Sequence, residues 1–169
     1  MHSLAESPSR PTLILLPPLP CGAEYYAAQI AALSDLVDPK VMVLEELSLA
    51  ASAAMVLAAA PSRFLLAGTA YGGCLAIEIA VTAPERIAGL WLMNCNPGAH
   101  PDPVAARQIG TRARGGAFDA ILHEWSELIV AEEAVLARER FLAMARAGGP
   151  ARFARQHDAA ADRFDHWDD

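Results

Sequence analysis

The residues whose types and spacing could do chemistry are Gly68-Thr69-Ala70-Tyr71-Gly72. An apolar run, Phe64-Leu65-Leu66-Ala67, leads into them, and a helical pattern from Gly72 to Ala83 follows. A buried strand that enters a helix through a pentapeptide with glycine at each end is the setting of the Gly-x-Ser-x-Gly nucleophile elbow. The turn is so sharp that bulky side chains two positions either side of its centre would clash, and Gly68 and Gly72 remove that clash. The central side chain is lifted over the C-terminal edge of the sheet, above a helix N-terminus that favours negative charge. Here the central residue is Ala70, which carries no nucleophile, no proton and no metal-binding atom. The same pentapeptide also reads as a plain strand–helix turn. It lacks the Gly-Lys-Ser/Thr of a phosphate loop and holds only part of a dinucleotide fingerprint.

A second segment bears on the first. In a hydrolase with such an elbow, the turn after the first strand supplies one N–H of the oxyanion hole, and the residue after the nucleophile supplies the other. That turn reads Leu16-Pro17-Pro18-Leu19-Pro20-Cys21. Proline has no N–H, so the expected donors are Leu19 and Tyr71. Residues expected to line a pocket there are Thr69, Asn94, Cys95, His100 and Trp125. Thr69 should point away from the nucleophile direction. Cys21 and Cys95 lie near the site, but lone cysteines there are more often packing than catalysis, and Cys74 is expected in the core. His100 follows the fourth strand, with Asp102 two residues on as its one evident acid partner. His123 has a solvated setting beside Glu124 and Glu127. His2 is terminal. His157-Asp158 and the ending Asp165-His166-Trp167-Asp168-Asp169 have no recognised metal-ligand spacing and read as solvated. Asn94 and Asn96 stand where a catalytic acid could be placed, but amides cannot serve as one.

The elements that must position these residues follow from periodicity. Short apolar runs at Thr12–Leu16, Val41–Leu44, Phe64–Ala67 and Ile87–Met93 predict strands. Helical patterns fall at Glu24–Leu36, ended by Asp38-Pro39, at Ser48–Ala60 with Ser48 as N-cap, and at Gly72–Ala83. Strand–helix alternation with short links predicts an α/β parallel sheet with helices on both faces. Beyond Met93 the pattern is helical only, at about Val104–Arg114, Phe118–Val130, Glu133–Ala147 and Ala151–Ala161. Glycines at 115–116 and 148–149 punctuate these helices. The expected organisation is a lead-in over 1–10, an α/β core over 11–96, a helical cap or lid over 97–161 and an acidic tail over 162–169.

Composition sets the outer bounds. The 169 residues are 54% hydrophobic and carry a net charge of −7. That describes a globular chain and argues against nucleic acid or anionic membrane as partner. Three cysteines without a Cys-x-x-Cys spacing suggest neither a disulfide framework nor a zinc site, and reduced cytoplasmic thiols are the expectation. Met1–Arg10 is short and polar, unlike a signal peptide.

With the elbow and the proline-rich turn in view, the chain resembles a bacterial α/β-hydrolase of the small type with a single helical cap. The resemblance rests on Ile14–Cys21, Ala67–Gly73, Glu78-Ile79-Ala80, Ala83-Pro84-Glu85-Arg86-Ile87 and Leu90–Asn94, with Gly116–Leu122 looking like the start of the cap. It implies esterase, lactonase or related acyl-hydrolase chemistry through serine, aspartate and histidine, with no cofactor or metal and a small acyl or ester ligand. The sequence departs from the pattern in three places. Ala70 replaces the serine, Pro18 stands where glycine is usual, and the chain ends where the family continues into the strands bearing the acid and histidine. The expectation is a chain of that lineage that is inactive as written, with a non-catalytic ligand-binding or interaction module as the alternative. An enzyme of another kind using His100 or Cys95 is a third option. The last strand would lie at a sheet edge, open to a second copy or a complementing C-terminal fragment, unless the final helices cover it.

Overall fold

The structure is a computed structural model that describes residues 10–168. The expectations for His2, for most of the lead-in and for Asp169 lie outside those residues. Four parallel strands form one sheet in the order β2-β1-β3-β4: β1 (Thr12–Leu16), β2 (Asp38–Val41), β3 (Phe64–Thr69) and β4 (Ile87–Met93). The helices are α1 (Ala27–Leu33), α2 (Leu49–Ala59), α3 (Tyr71–Thr82), α4 (Pro103–Arg112), α5 (Phe118–Ile129) and α6 (Val135–Ala161).

Alternation along β1 shows why the central strands are apolar throughout. Ile14 and Leu16 face a core completed by Leu66, Leu75, Ile79 and Val56, so α2 and α3 cover that face. Leu13 and Leu15 point the other way, to Tyr26, Val37 and Ala67, with Ile30 and Leu33 of α1 packed on them. Helices therefore lie on both faces, as the alternation of elements predicts. A third cluster, built from Phe118, Ile121, Leu122, Phe141 and Phe153, holds α5 and α6 together beside the sheet.

Two elements differ from the sequence reading. The second strand is Asp38–Val41 rather than Val41–Leu44, and Asp38-Pro39 belongs to it instead of acting only as a helix stop. Pro39 is tolerated because β2 is an edge strand, bonded only to β1, and needs no N–H on its outer side. The first helix is shorter than expected, because Ala23–Tyr26 forms a 3-10 turn ahead of α1. Ser48 caps α2 as expected, its hydroxyl accepting the Ala51 N–H at 3.1 Å. The last two expected helices are one α6, broken where Gly149 takes φ 74° ahead of Pro150. The glycines at 115–116 fall in a wide turn, Ala113–Ala117, that joins α4 to α5.

The Ala-Pro-Glu-Arg-Ile segment has a structural job. The Arg86 guanidinium donates to the carbonyls of Leu57, Ala60, Pro61 and Ser62 at 2.7 to 3.3 Å. These are the unpaired acceptors at the C-terminus of α2, where a cation also suits the helix dipole. Arg86 also lies over the Phe64 ring at 5.7 Å. One side chain therefore ties the end of α2 to the starts of β3 and β4. Outside it, β4 is the far edge, with Leu90, Trp91 and Leu92 at 40–56% exposure. Among the described residues no helix is long and apolar enough to cross a membrane. Replacing Arg86 with methionine keeps the stem and removes the charge-assisted bonds. It is expected to cost about 2–3 kcal/mol, read as a lower midpoint in urea with an unchanged slope.

Candidate functional site

The elbow is built as its glycines require. Ala70 sits at φ 50°, ψ −113°, a conformation L-residues rarely adopt. A side chain at Gly68 would run into the Gly72 carbonyl, and one at Gly72 into the Leu16 carbonyl. The start of α3 thus lies against the ends of both β1 and β3, closer than any Cβ permits. The Ala70 N–H donates to Met93 O at 2.9 Å, which ties the turn to the end of β4. Next to it, Tyr26 is buried and donates its hydroxyl to Leu16 O at 2.9 Å while sharing a 2.8 Å bond with Thr69. Burial pushes the Tyr26 phenol up to about 12. Thr69 is therefore held away from the Ala70 direction, and the turn after β1 is fixed relative to the elbow.

That turn carries Leu19. Among the described residues the Leu19 N–H has no hydrogen-bond partner, while Cys21 N–H closes the turn onto Pro18 O at 2.8 Å. Tyr71 is the first residue of α3, so its N–H is one of the donors a helix cannot satisfy internally. Two cavities meet at the elbow, and both are lined by Leu19, Ala70, Asn94 and Trp125. One, of about 480 Å³, is mostly apolar and runs under α5 and α6 past Cys21, Ile129, Phe141 and Met144. The other, of about 400 Å³ and also mostly apolar in its exposed lining, is reached past Tyr71 and carries more polar side chains, Cys74, Cys95, Asn96, His100, Asp102, His157 and Arg163.

Of the residues named for a pocket, Thr69 lies on the wall of the apolar cavity, Cys95 and His100 on that of the polar one, and Asn94 and Trp125 on both. Cys21 is buried in the cluster between α5 and α6, where burial raises its thiol to about 11. His123 is exposed and lies 3.2 Å from Arg146. Three expectations need correction. Cys74 is not simply core: it is half-buried and lines the polar cavity. His166 is not solvated, since its ring meets Glu78 at 2.8 Å, with the two side chains only 12% and 10% exposed. His157 is not on a wet face either. It is 7% exposed, stacked edgewise on Phe153 and Trp125, and its Nε2 is buried without a partner.

His157 is carried there by the second half of α6. Arg152 donates to Pro20 O at 3.1 Å, and Gln156 donates to Leu44 O at 2.8 Å. These bonds pin the helix to the loops after β1 and β2. The sequence signal was the Phe153–His157 spacing of four, with Ala154, Ala160 and Ala161 offering a small face. Nothing local marked Arg163, which follows α6 inside an acidic stretch. His100 is set by its neighbour: the Asp102 N–H donates to His100 Nδ1 at 3.1 Å, so the proton of the neutral ring sits on Nε2. The Asp102 carboxylate caps α4 by accepting the Ala105 N–H at 2.8 Å. Among the described residues no group of three or more His, Cys, Asp or Glu is placed to hold a metal ion.

No protein-family model matches the sequence, and no curated protein matches it in sequence. Solved structures do match in three dimensions. A thermophilic esterase from Thermogutta terrifontis superposes with a TM-score of 0.80 at 19% identity, over 93% of this chain and 65% of its own. A hydrolase from Pseudomonas aeruginosa gives 0.70 at 23% identity, over 92% and 65%. The enol-lactonase from Burkholderia xenovorans gives 0.76 at 16% identity, over 93% and 67%. The chain has the α/β-hydrolase fold, and it spans 65% of the length of the first two of these enzymes.

Burial holds the His157 imidazole down to about 4, against an ordinary 6.5. A histidine whose folded value is depressed stabilises the fold above its unfolded value, because below it the unfolded chain binds the proton first. Stability is therefore expected to be full above pH 6.5 and to fall by a few kcal/mol, about 3 at most, as pH drops toward 4. Urea melts across that range, compared with His157→Phe, check this. The variant should lose that part of the slope.

Proposed function

We propose that this chain binds an acyl ester at the elbow of a serine-hydrolase lineage site and, with Ala70 at its centre, does not cleave it. One observation carries the reading. Ala70 is held in the strained elbow conformation at the junction of two cavities, beside two N–H groups, of Leu19 and Tyr71, that have no partner. Strain of this kind costs about 1–3 kcal/mol and persists where surrounding structure enforces it. Two N–H donors without partners among the described residues, on the wall of one cavity, suit the oxygen of an ester carbonyl. The apolar cavity takes the acyl chain, and the helical segment over 97–161 acts as the lid above it.

The chemistry of the neighbouring groups supports binding over turnover. A serine nucleophile needs a histidine whose Nε2 is free to accept a proton and whose Nδ1–H is held by a carboxylate. His100 has the opposite tautomer, with Nδ1 accepting and the proton on Nε2. His157 has no carboxylate partner, and its low proton affinity makes it a weak base. The cysteines do not substitute, since burial raises the thiols of Cys74 and Cys95 and keeps them protonated. The Ala70→Ser variant should hydrolyse p-nitrophenyl butyrate no faster than the Ala70 chain and show no acylation burst. A rate about tenfold or more above that of the Ala70 chain, or a burst, would mean that a working base is already in place.

A further inference from the structure

The polar cavity beside the elbow contains a cation, Arg163, that makes no ion pair among the described residues, although one carboxylate, Asp102, also lies on the cavity wall. Arg163 lines that cavity, and the backbone holds its orientation. Its Nε donates to Gly98 O at 2.8 Å, and its Nη2 lies 3.4 Å from both Ala99 O and Asn96 Oδ1. Its Nη1 has no partner among the described residues. The carboxylates nearby in sequence are engaged elsewhere, Asp158 with Arg114 and Asp162 with Arg107, while Asp102 on the cavity wall accepts the Ala105 N–H at the start of α4 through one oxygen. The two thiols on the wall, Cys74 and Cys95, are neutral. The remaining groups add donors or neutral acceptors rather than negative charge. They are the Tyr71 N–H at the start of α3, the Nε2–H of His100, and His157, which is 93% buried with Nε2 unpartnered. A fixed guanidinium on a cavity wall, with a free edge that no carboxylate of the described residues pairs, is the arrangement that recognises a carboxylate.

We infer that the ligand carries a carboxylate on the side of its ester away from the acyl chain, held in this cavity by Arg163. The inference rests on the acyl-ester reading and extends it to a substrate class: an ester with one apolar arm and one anionic arm. Trp125 and Leu19 stand between the two chambers and set how far the carboxylate lies from the carbonyl. A neutral ester fills the same space without engaging the cation, so charge on that arm is what the site discriminates.

The test compares (butyryloxy)acetate, a monoester whose carboxylate lies on the alcohol side, with its neutral methyl ester, a diester, on the full chain. The Trp125 indole N–H and the Tyr71 amide are followed by nitrogen–proton correlation spectra, and Ala70 makes the binding an equilibrium measurement. The monoester should bind about tenfold tighter or more than the diester, as a charge-assisted bond requires. Arg163→Gln should bring the monoester down to the level of the diester and leave the diester unchanged, while Arg163→Lys should keep part of the preference. Equal affinities for the two probes in the unmodified chain overturn this inference and leave the acyl-ester reading intact. Loss of both probes together in a folded Arg163→Gln chain also overturns it, since Arg163 would then only be holding the 96–99 loop. Binding of the diester without the monoester overturns this inference alone, and failure of both probes to bind the unmodified chain overturns both readings.

Discussion

The close approach of the start of α3 to the ends of β1 and β3 governs the rest of the molecule. Gly68 and Gly72 let backbone meet backbone there, at the Leu16 and Gly72 carbonyls. Several consequences follow from that contact. Ala70 is forced to positive φ. Tyr71, the first residue of α3, is left with an N–H that the helix cannot satisfy. The turn after β1 must run beside the elbow, and the Tyr26 hydroxyl, bonded to Leu16 and Thr69, keeps it there. The steric demand on the two glycines does not depend on the side chain at position 70. The turn therefore keeps its geometry with only a methyl group at its centre.

The helical segment after β4 shapes the space above the elbow. α5 and α6 make their own apolar cluster, and α6 then reaches back over the loops after β1 and β2. The result is a divided site. The apolar chamber is walled by residues of the α5–α6 cluster. The polar chamber collects what the 94–102 loop, α3 and the end of α6 contribute. Burial keeps the titratable groups there in their neutral forms, as with His157, Cys74 and Cys95. Arg163 keeps its charge. Desolvation, the Arg163 cation and the Asp102 carboxylate therefore set the electrostatics of the chamber, with no ion pair to Arg163 among the described residues.

Much of this was legible in the sequence. β1 and β4 coincide with their apolar runs to the residue, because neither run has a polar interruption to blur it, even though β4 is an exposed edge. The elbow was readable because only glycine fits at positions 68 and 72. β2 was displaced because an edge strand carries alternating exposed residues and tolerates Pro39, so its sequence resembles a loop. His157 and His166 were misjudged for a different reason. Each lies beside aspartate in an alanine-rich or acidic stretch, and only the docking of α6 and the segment after it encloses them. Their burial comes from contacts with Trp125 and with Glu78, far away in the chain, which local pattern does not record.

The central claim is that the unpartnered N–H groups of Leu19 and Tyr71 form one receptor for an ester carbonyl. Adding methyl butyrate, a neutral ester, to the nitrogen-labelled chain tests it directly. The account predicts that the Leu19 and Tyr71 amide protons shift downfield together and saturate with a single affinity, as two donors to one oxygen must. Saturable shifts confined to other residues, with these two amides unmoved, would contradict it.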